Sequence, residues 1–124
     1  MIRNKIAALI GAAALAGLGI AATATPANAA WSDCDSGALC AYLGDYGYGT
    51  PGQVFGNNTN LEQYNKFNNA ESVFNNGNSC DVRLYDEQNY GGNNVILKRG
   101  YIVRDLDTEA STFAQDIASN YWVC

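Results

Sequence analysis

The strongest constraint on this chain is that one pattern of residues occurs in it twice. Tyr42-Leu43-Gly44-Asp45-Tyr46-Gly47-Tyr48-Gly49 is similar to Tyr85-Asp86-Glu87-Gln88-Asn89-Tyr90-Gly91-Gly92. Each opens on Tyr and places Gly seven residues on. Downstream, Val54-Phe55 parallels Ile96-Leu97, and Asn68-Asn69-Ala70-Glu71-Ser72 parallels Gln115-Asp116-Ile117-Ala118-Ser119. The offset is 43 residues at the first block and 47 at the last, so the copies differ by a few loop residues. Two units of about 40 residues predict two similar four-strand motifs whose inner faces bury one another as a sandwich.

The local signals agree with strands. Turn formers recur at Gly44, Gly47, Gly49, Pro51-Gly52, Gly56-Asn57-Asn58, Asn75-Asn76-Gly77, Gly91-Gly92 and Gly100. Between them lie short β-branched or aromatic runs: residues 39–42, 53–55, 72–74, 82–85 and 95–97. Short runs bounded closely by turns predict an all-β fold. No segment keeps a helical apolar period for three turns, and residues 106–116 allow one helical turn at most. Eight Tyr, two Trp and four Phe argue against disorder despite the many Asn and Gly.

Residues 1–29 read as a secretory signal peptide. Arg3 and Lys5 form a positive start, an uncharged Ala/Gly/Leu/Ile run follows, and Ala27-Asn28-Ala29 offers small residues for cleavage before Ala30. The run is short and weakly apolar for a membrane span, so no membrane association is expected after cleavage. The remainder, 30–124, is expected to be a single domain, with repeat 1 at about 38–78 and repeat 2 at about 80–124. Cys34, Cys40, Cys80 and Cys124 all follow the leader, and an even number outside the cell reads as two disulfides. Of the three pairings, Cys34–Cys40 with Cys80–Cys124 is favoured, closing a tight N-terminal loop and tying the second half to the last residue.

Charge and composition exclude several functions. Removing Arg3 and Lys5 from the seven basic residues leaves five against twelve acidic ones, a net charge of −7. So acidic a surface does not attract a nucleic acid backbone. The chain has no His, hence no Ser-His-Asp or Cys-His machinery and no His zinc ligand. A non-enzymatic binding or inhibitory protein is expected.

The repeated hairpin resembles the βγ-crystallin pattern, and the chain is most similar to the secreted bacterial proteins grouped as peptidase inhibitor family I36. The second copy carries the pattern most fully: Tyr85, an aromatic at Tyr90, then Gly92. In the first copy Tyr42 and Gly49 match, but Gly47 holds the aromatic position between Tyr46 and Tyr48. The resemblance implies a βγ-crystallin-like sandwich of two Greek-key motifs, here stapled by disulfides.

Two sites follow from the resemblance. The family's calcium motif would be Asn68-Asn69-Ala70-Glu71-Ser72-Val73 and Gln115-Asp116-Ile117-Ala118-Ser119-Asn120. Its candidate ligands are Asn68, Asn69, Ala70 and Ser72 in one copy and Asp116, Ile117 and Ser119 in the other, offering the oxygens a hard cation such as Ca²⁺ requires. Ser72 and Ser119 also have a structural reading, as hydroxyls that bind the folded hairpin. The second site is the junction between the halves, residues 75–82. The resemblance implies a secreted (metallo)peptidase as partner, blocked by a rigid loop, with Ser79, Cys80, Asp81 and Val82 as the candidate inhibitory residues. Asp81 stands where an apolar residue is expected after the Cys. A calcium-binding structural or stress protein and a small antimicrobial toxin are the alternatives on the same fold.

Three weaker signals have bland readings. Trp31 and Trp122 are expected to pack the two ends, and Tyr42, Tyr46 and Tyr48 to pack the hairpin. The acidic stretch Asp105, Asp107 and Glu109 reads as solvated surface.

Overall fold

The computed structural model describes residues 30–124, and the leader expected at 1–29 lies outside the described residues. Among the described residues seven strands form, in the order β1 (Leu39–Tyr42), β2 (Gly52–Val54), β3 (Ser72–Asn75), β4 (Asp81–Glu87), β5 (Gly91–Leu97), β6 (Ile102–Val103) and β7 (Ser119–Val123). Two one-turn helices, α1 (Asn65–Asn68) and α2 (Leu106–Glu109), sit in the long connections. No helix among the described residues is long and apolar enough to cross a membrane. Both disulfides are the favoured ones, Cys34–Cys40 and Cys80–Cys124.

The strands make two antiparallel sheets, ordered β2-β1-β3-β6 and β5-β4-β7. The edge strand β6 comes from the second half yet pairs with β3 of the first, Val73 opposite Val103. The reciprocal exchange is reduced to one bridge, Asn58 with Asn120 on β7. Each sheet is thus completed by chain from the other half, which couples the two motifs through backbone hydrogen bonds as well as through the core.

That core is built by alternation. On β4, Val82 and Leu84 point inward while Arg83 and Tyr85 stay partly exposed. They meet Leu39, Ala41, Val54 and Val73 of the other sheet, and Leu61, Phe67, Leu106, Phe113 and Ile117 from the connections plug the ends. Strand β1 is buried on both faces. Cys40 and Tyr42 lie on its outer face beneath the N-terminal segment, which contributes Cys34, Trp31 and Ala38.

The pairing registers define the equivalence of the halves. Tyr42 lies opposite Ser72, and Tyr85 opposite Ser119. Leu39 lies opposite Val54, and Val82 opposite Leu97. Val54 is therefore the counterpart of Leu97, not of Ile96, and Phe55 corresponds to Lys98. The sequence parallel of Val54-Phe55 with Ile96-Leu97 is one residue out of step. In a strand one step exchanges the two faces: Val54 is buried and Phe55 is 57 % exposed. Strands β6 and β7 have no counterpart among the predicted runs. β6 is only two residues long, and β7 mixes buried Ser119 and Asn120 with exposed Tyr121.

Candidate functional site

Both β-hairpins fold back on themselves, and a buried serine clamps each. Ser72 Oγ accepts from Gly47 N at 2.9 Å and donates to the Gly44 carbonyl at 2.7 Å. Ser119 Oγ accepts from Tyr90 N at 3.0 Å and donates to the Glu87 carbonyl at 2.7 Å. The two hydroxyls thus perform the same hairpin-binding task 47 residues apart. The hairpins need left-handed backbone at Tyr46 and Gly47 in one copy and at Asn89 and Tyr90 in the other. Gly92 is required in the second hairpin. It has φ +73°, and a Cβ there would lie 2.2 Å from Asp86 Oδ1.

The missing aromatic of the first hairpin is supplied from elsewhere in the chain. In the second hairpin Tyr90 packs between Tyr85 (5.5 Å) and Tyr121 (5.4 Å). In the first, Trp31 packs between Tyr42 (4.9 Å) and Phe74 (5.9 Å), the counterparts of that pair. A Cβ on Gly47 would lie 2.6 Å from the Trp31 ring, so the indole occupies the space an aromatic at 47 would need. The segment is held by Ala30 N donating to Gly47 O (2.6 Å) and the Tyr42 hydroxyl donating to Ala30 O (2.9 Å). Burial, then the Asp33 charge, pushes the Tyr42 phenol above its ordinary range, so it remains a donor.

Beside each hairpin lies an acidic site built from both halves. Leu106 N donates to Glu71 O, and Leu61 N donates to Ala118 O, the equivalent carbonyl. The residue after each of these buried leucines is acidic: Asp107 and Glu62. Asp107, Asp45 of the first hairpin and Glu71 bring one carboxylate oxygen each within 4.8 Å of one another. Asp45 Oδ1 and Glu71 Oε1 are buried without a hydrogen-bond partner, while Gln115 Nε2 donates to Glu71 Oε2 at 2.7 Å. Burial, then Asp105 and Asp107, raises the Asp45 carboxyl. The Gln115 bond holds Glu71 down, but burial and its neighbours Asp107 and Asp45 outweigh that bond and raise it. In the second site Asp116 faces Glu62, and Gln88 Nε2 donates to Glu62 Oε1 at 2.7 Å. Burial first, then the bond and charge of Glu62, pushes Asp116 up to about 6, and its Oδ1 has no partner.

The sequence-derived ligands are only partly gathered here. Asn68 and Asn69 are exposed at the end of α1, and Asn69 Nδ2 donates to Asn65 Oδ1 at 2.7 Å. The Ala70 carbonyl accepts from Gln115 N, Ile117 is fully buried, and Ser72 and Ser119 are engaged by the hairpins. Asp45 and Asp107 were not legible as partners, because 62 residues and a strand exchange separate them. Of the acidic stretch, Asp105 caps α2 through Asp107 N and Glu109 Oε1 accepts from Arg104 N. Only Asp107 turns toward the cluster.

The junction between the halves is pinned. Buried Asn75 donates through Nδ2 to the carbonyls of Leu97 (2.9 Å) and Cys80 (3.3 Å), and its Oδ1 accepts from Gly77 N. Asn76 Nδ2 donates to Cys34 O, and Cys80 is bonded to Cys124. Asn78 and Ser79 are exposed, whereas Asp81 accepts from Arg99 N and Val82 is fully buried on β4. The exposed part of the candidate inhibitory segment therefore ends before Val82.

Two sheets that exchange an edge strand, with paired serine-clamped hairpins, define a βγ-crystallin fold. A solved structure described as bearing on the evolution of the eye lens βγ-crystallin domain fold superimposes with a TM-score of 0.61 at 19 % identity, covering 82 % of this chain and 92 % of that one. IPSE/alpha-1 from Schistosoma mansoni eggs gives 0.57 at 20 %, covering 73 % and 88 %. A βγ-crystallin from an archaeon gives 0.55 at 16 %, covering 72 % and 100 %. No curated protein matches the sequence. The pattern of peptidase inhibitor family I36 matches residues 27–97, and the chain belongs to that family.

Proposed function

We propose that this chain is a secreted, non-enzymatic inhibitor of an extracellular peptidase that acts through a rigid surface loop. Membership of the I36 family carries the reading. The pinned loops at the disulfide end support it, because a loop ordered before binding loses little entropy on docking. Ser79 and Cys80 of the junction are candidate contact residues, with Asp81 at their edge. The test is a panel of secreted metallo- and serine peptidases titrated with the disulfide-intact protein. Stoichiometric loss of hydrolysis for at least one member is expected. Undiminished hydrolysis across the panel rejects the reading.

The unpartnered carboxylate oxygens favour a second property, calcium-dependent stability. Three mutually repelling carboxylates, two with orphaned oxygens, fit a hard divalent cation that would accept oxygen donors and neutralise their charge. Asp45, Glu71 and Asp107 would hold it. For a site in the range of extracellular modules, with Kd about 10⁻⁴ M, Ca²⁺ at about 1 mM adds about 1.4 kcal/mol of stability. A rise in Tm of about 6 °C is then expected on adding Ca²⁺ to EDTA-treated protein. The rise should vanish in Asp107→Asn; an unchanged melting curve with wild type removes the proposal.

A further inference from the structure

The inhibitor reading leaves open which side chain a peptidase would grip, and the structure points away from the junction's own sequence. Phe55 is among the most exposed large apolar side chains, second only to Tyr101 among those described, at 57 %. It directly follows β2, where the register places Lys98 in the other half. A largely exposed aromatic ring thus stands where the duplicated motif has an exposed lysine.

The loop that carries it is unusually immobilised for a surface turn. The Gly56 carbonyl accepts from three side chains: Trp122 Nε1 (2.8 Å), Asn120 Nδ2 (3.0 Å) and Asn58 Nδ2 (3.1 Å). Asn120 is itself fully buried. Asn57 Oδ1 accepts from Trp122 N at 2.7 Å, and Asn58 and Asn120 exchange backbone hydrogen bonds. Residues 55–60 carry no charge. The main chain on the C-terminal side of Phe55 is thus fixed while more than half of its side chain stays exposed.

Phe55 also shares a surface with the junction. A Cβ on Gly37 would lie 3.3 Å from Asn78 Nδ2 and 3.9 Å from Phe55 Cε1, so the ring and Asn78 both border the space beside Gly37. A cleft of about 210 Å³ continues from there past Gly77, Ser79 and the Cys80–Cys124 disulfide to Trp122. One exposed aromatic anchor beside a polar, pinned rim is the arrangement in which a single side chain dominates a protein interface.

We propose that Phe55 is the anchor that enters the specificity pocket of the target, a secreted endopeptidase that accepts large aromatic side chains, with Asn78 and Ser79 forming the rim. This rests on the inhibitor reading above. The partner is recognised through docking alone, with no bond made or broken.

The experiment measures inhibition constants of wild type, F55A, F55K, S79A and D81A against thermolysin-like and chymotrypsin-like peptidases, with Tm for each. F55K carries the residue the equivalent position of the other half accommodates. F55A and F55K are expected to melt within about 2 °C of wild type and to lose inhibition by about 100-fold or more. S79A and D81A are expected to lose less than about 5-fold, as rim contacts do. Full inhibition by F55K overturns the anchor assignment and leaves the inhibitor reading standing, as does a loss larger in S79A or D81A than in F55A. If wild type inhibits no peptidase of either class, the anchor assignment falls; the inhibitor reading falls with it only if the full panel of secreted metallo- and serine peptidases is also untouched.

Discussion

Replacing Trp31 by alanine is expected to destabilise the protein by about 3 kcal/mol, at the lower end for emptying a large aromatic site. Tm should fall by about 15 °C. The ring fills the place of an absent hairpin aromatic, so its loss leaves Gly47 and the faces of Tyr42 and Phe74 uncovered. The sharper test is the double variant W31A/G47Y. Tyr90 shows that this hairpin position accepts an aromatic with left-handed backbone, at φ +63° against +72° for Gly47. G47Y alone should be destabilising, since its Cβ collides with the indole. In the W31A background the same change should recover 1 kcal/mol or more, roughly the value of an aromatic pair. The measurement is a denaturant double-mutant cycle. Additive losses would show that Trp31 and residue 47 do not compete for one space.

Removing the Cys80–Cys124 disulfide by paired substitution with alanine should cost about 4 kcal/mol in the chain-entropy account, because the cross-link spans 44 residues. Removing Cys34–Cys40, which spans 6, should cost only about 2 kcal/mol by the same account. The order is the informative part. Cys34 and Cys40 are buried and Cys124 is exposed, so a packing-dominated effect would reverse the ranking. Urea denaturation of the two double-alanine variants decides between them. A small loss for Cys80–Cys124 would mean that β7 is held by its five residue pairs with β4 and by the Asn57 and Gly56 contacts to Trp122, without need of the staple.

Much of the fold was legible because its cues are local and repeated. The Tyr and Gly of the hairpins, the Ser at the end of each copy and the turn formers between short apolar runs all act within a few residues of themselves. The strands those cues missed are the ones that local chemistry does not define. β6 is two residues whose place depends on the other half's edge, and β7 carries buried Asn120, which reads as a turn former but is satisfied across the sandwich by Asn58 and Gly56. The acidic site was half legible. Glu71 and Asp116 stood inside the recognised motifs, but Asp45 and Asp107 join Glu71, and Glu62 joins Asp116, only once the two halves are folded together.

The boundary between the two kinds of knowledge falls at Trp31 and Phe55. From the residues alone came the all-β duplication and the staples, since backbone preference, turn chemistry and cysteine count are properties of short stretches; the degraded first hairpin came from the resemblance to the βγ-crystallin pattern. That an indole sixteen residues upstream repairs that hairpin, and that a one-residue step in pairing sends Phe55 outward, was decided by packing. Side-chain volume and strand register are settled only when distant segments compete for the same interior, and short-range patterns do not encode the outcome of that competition.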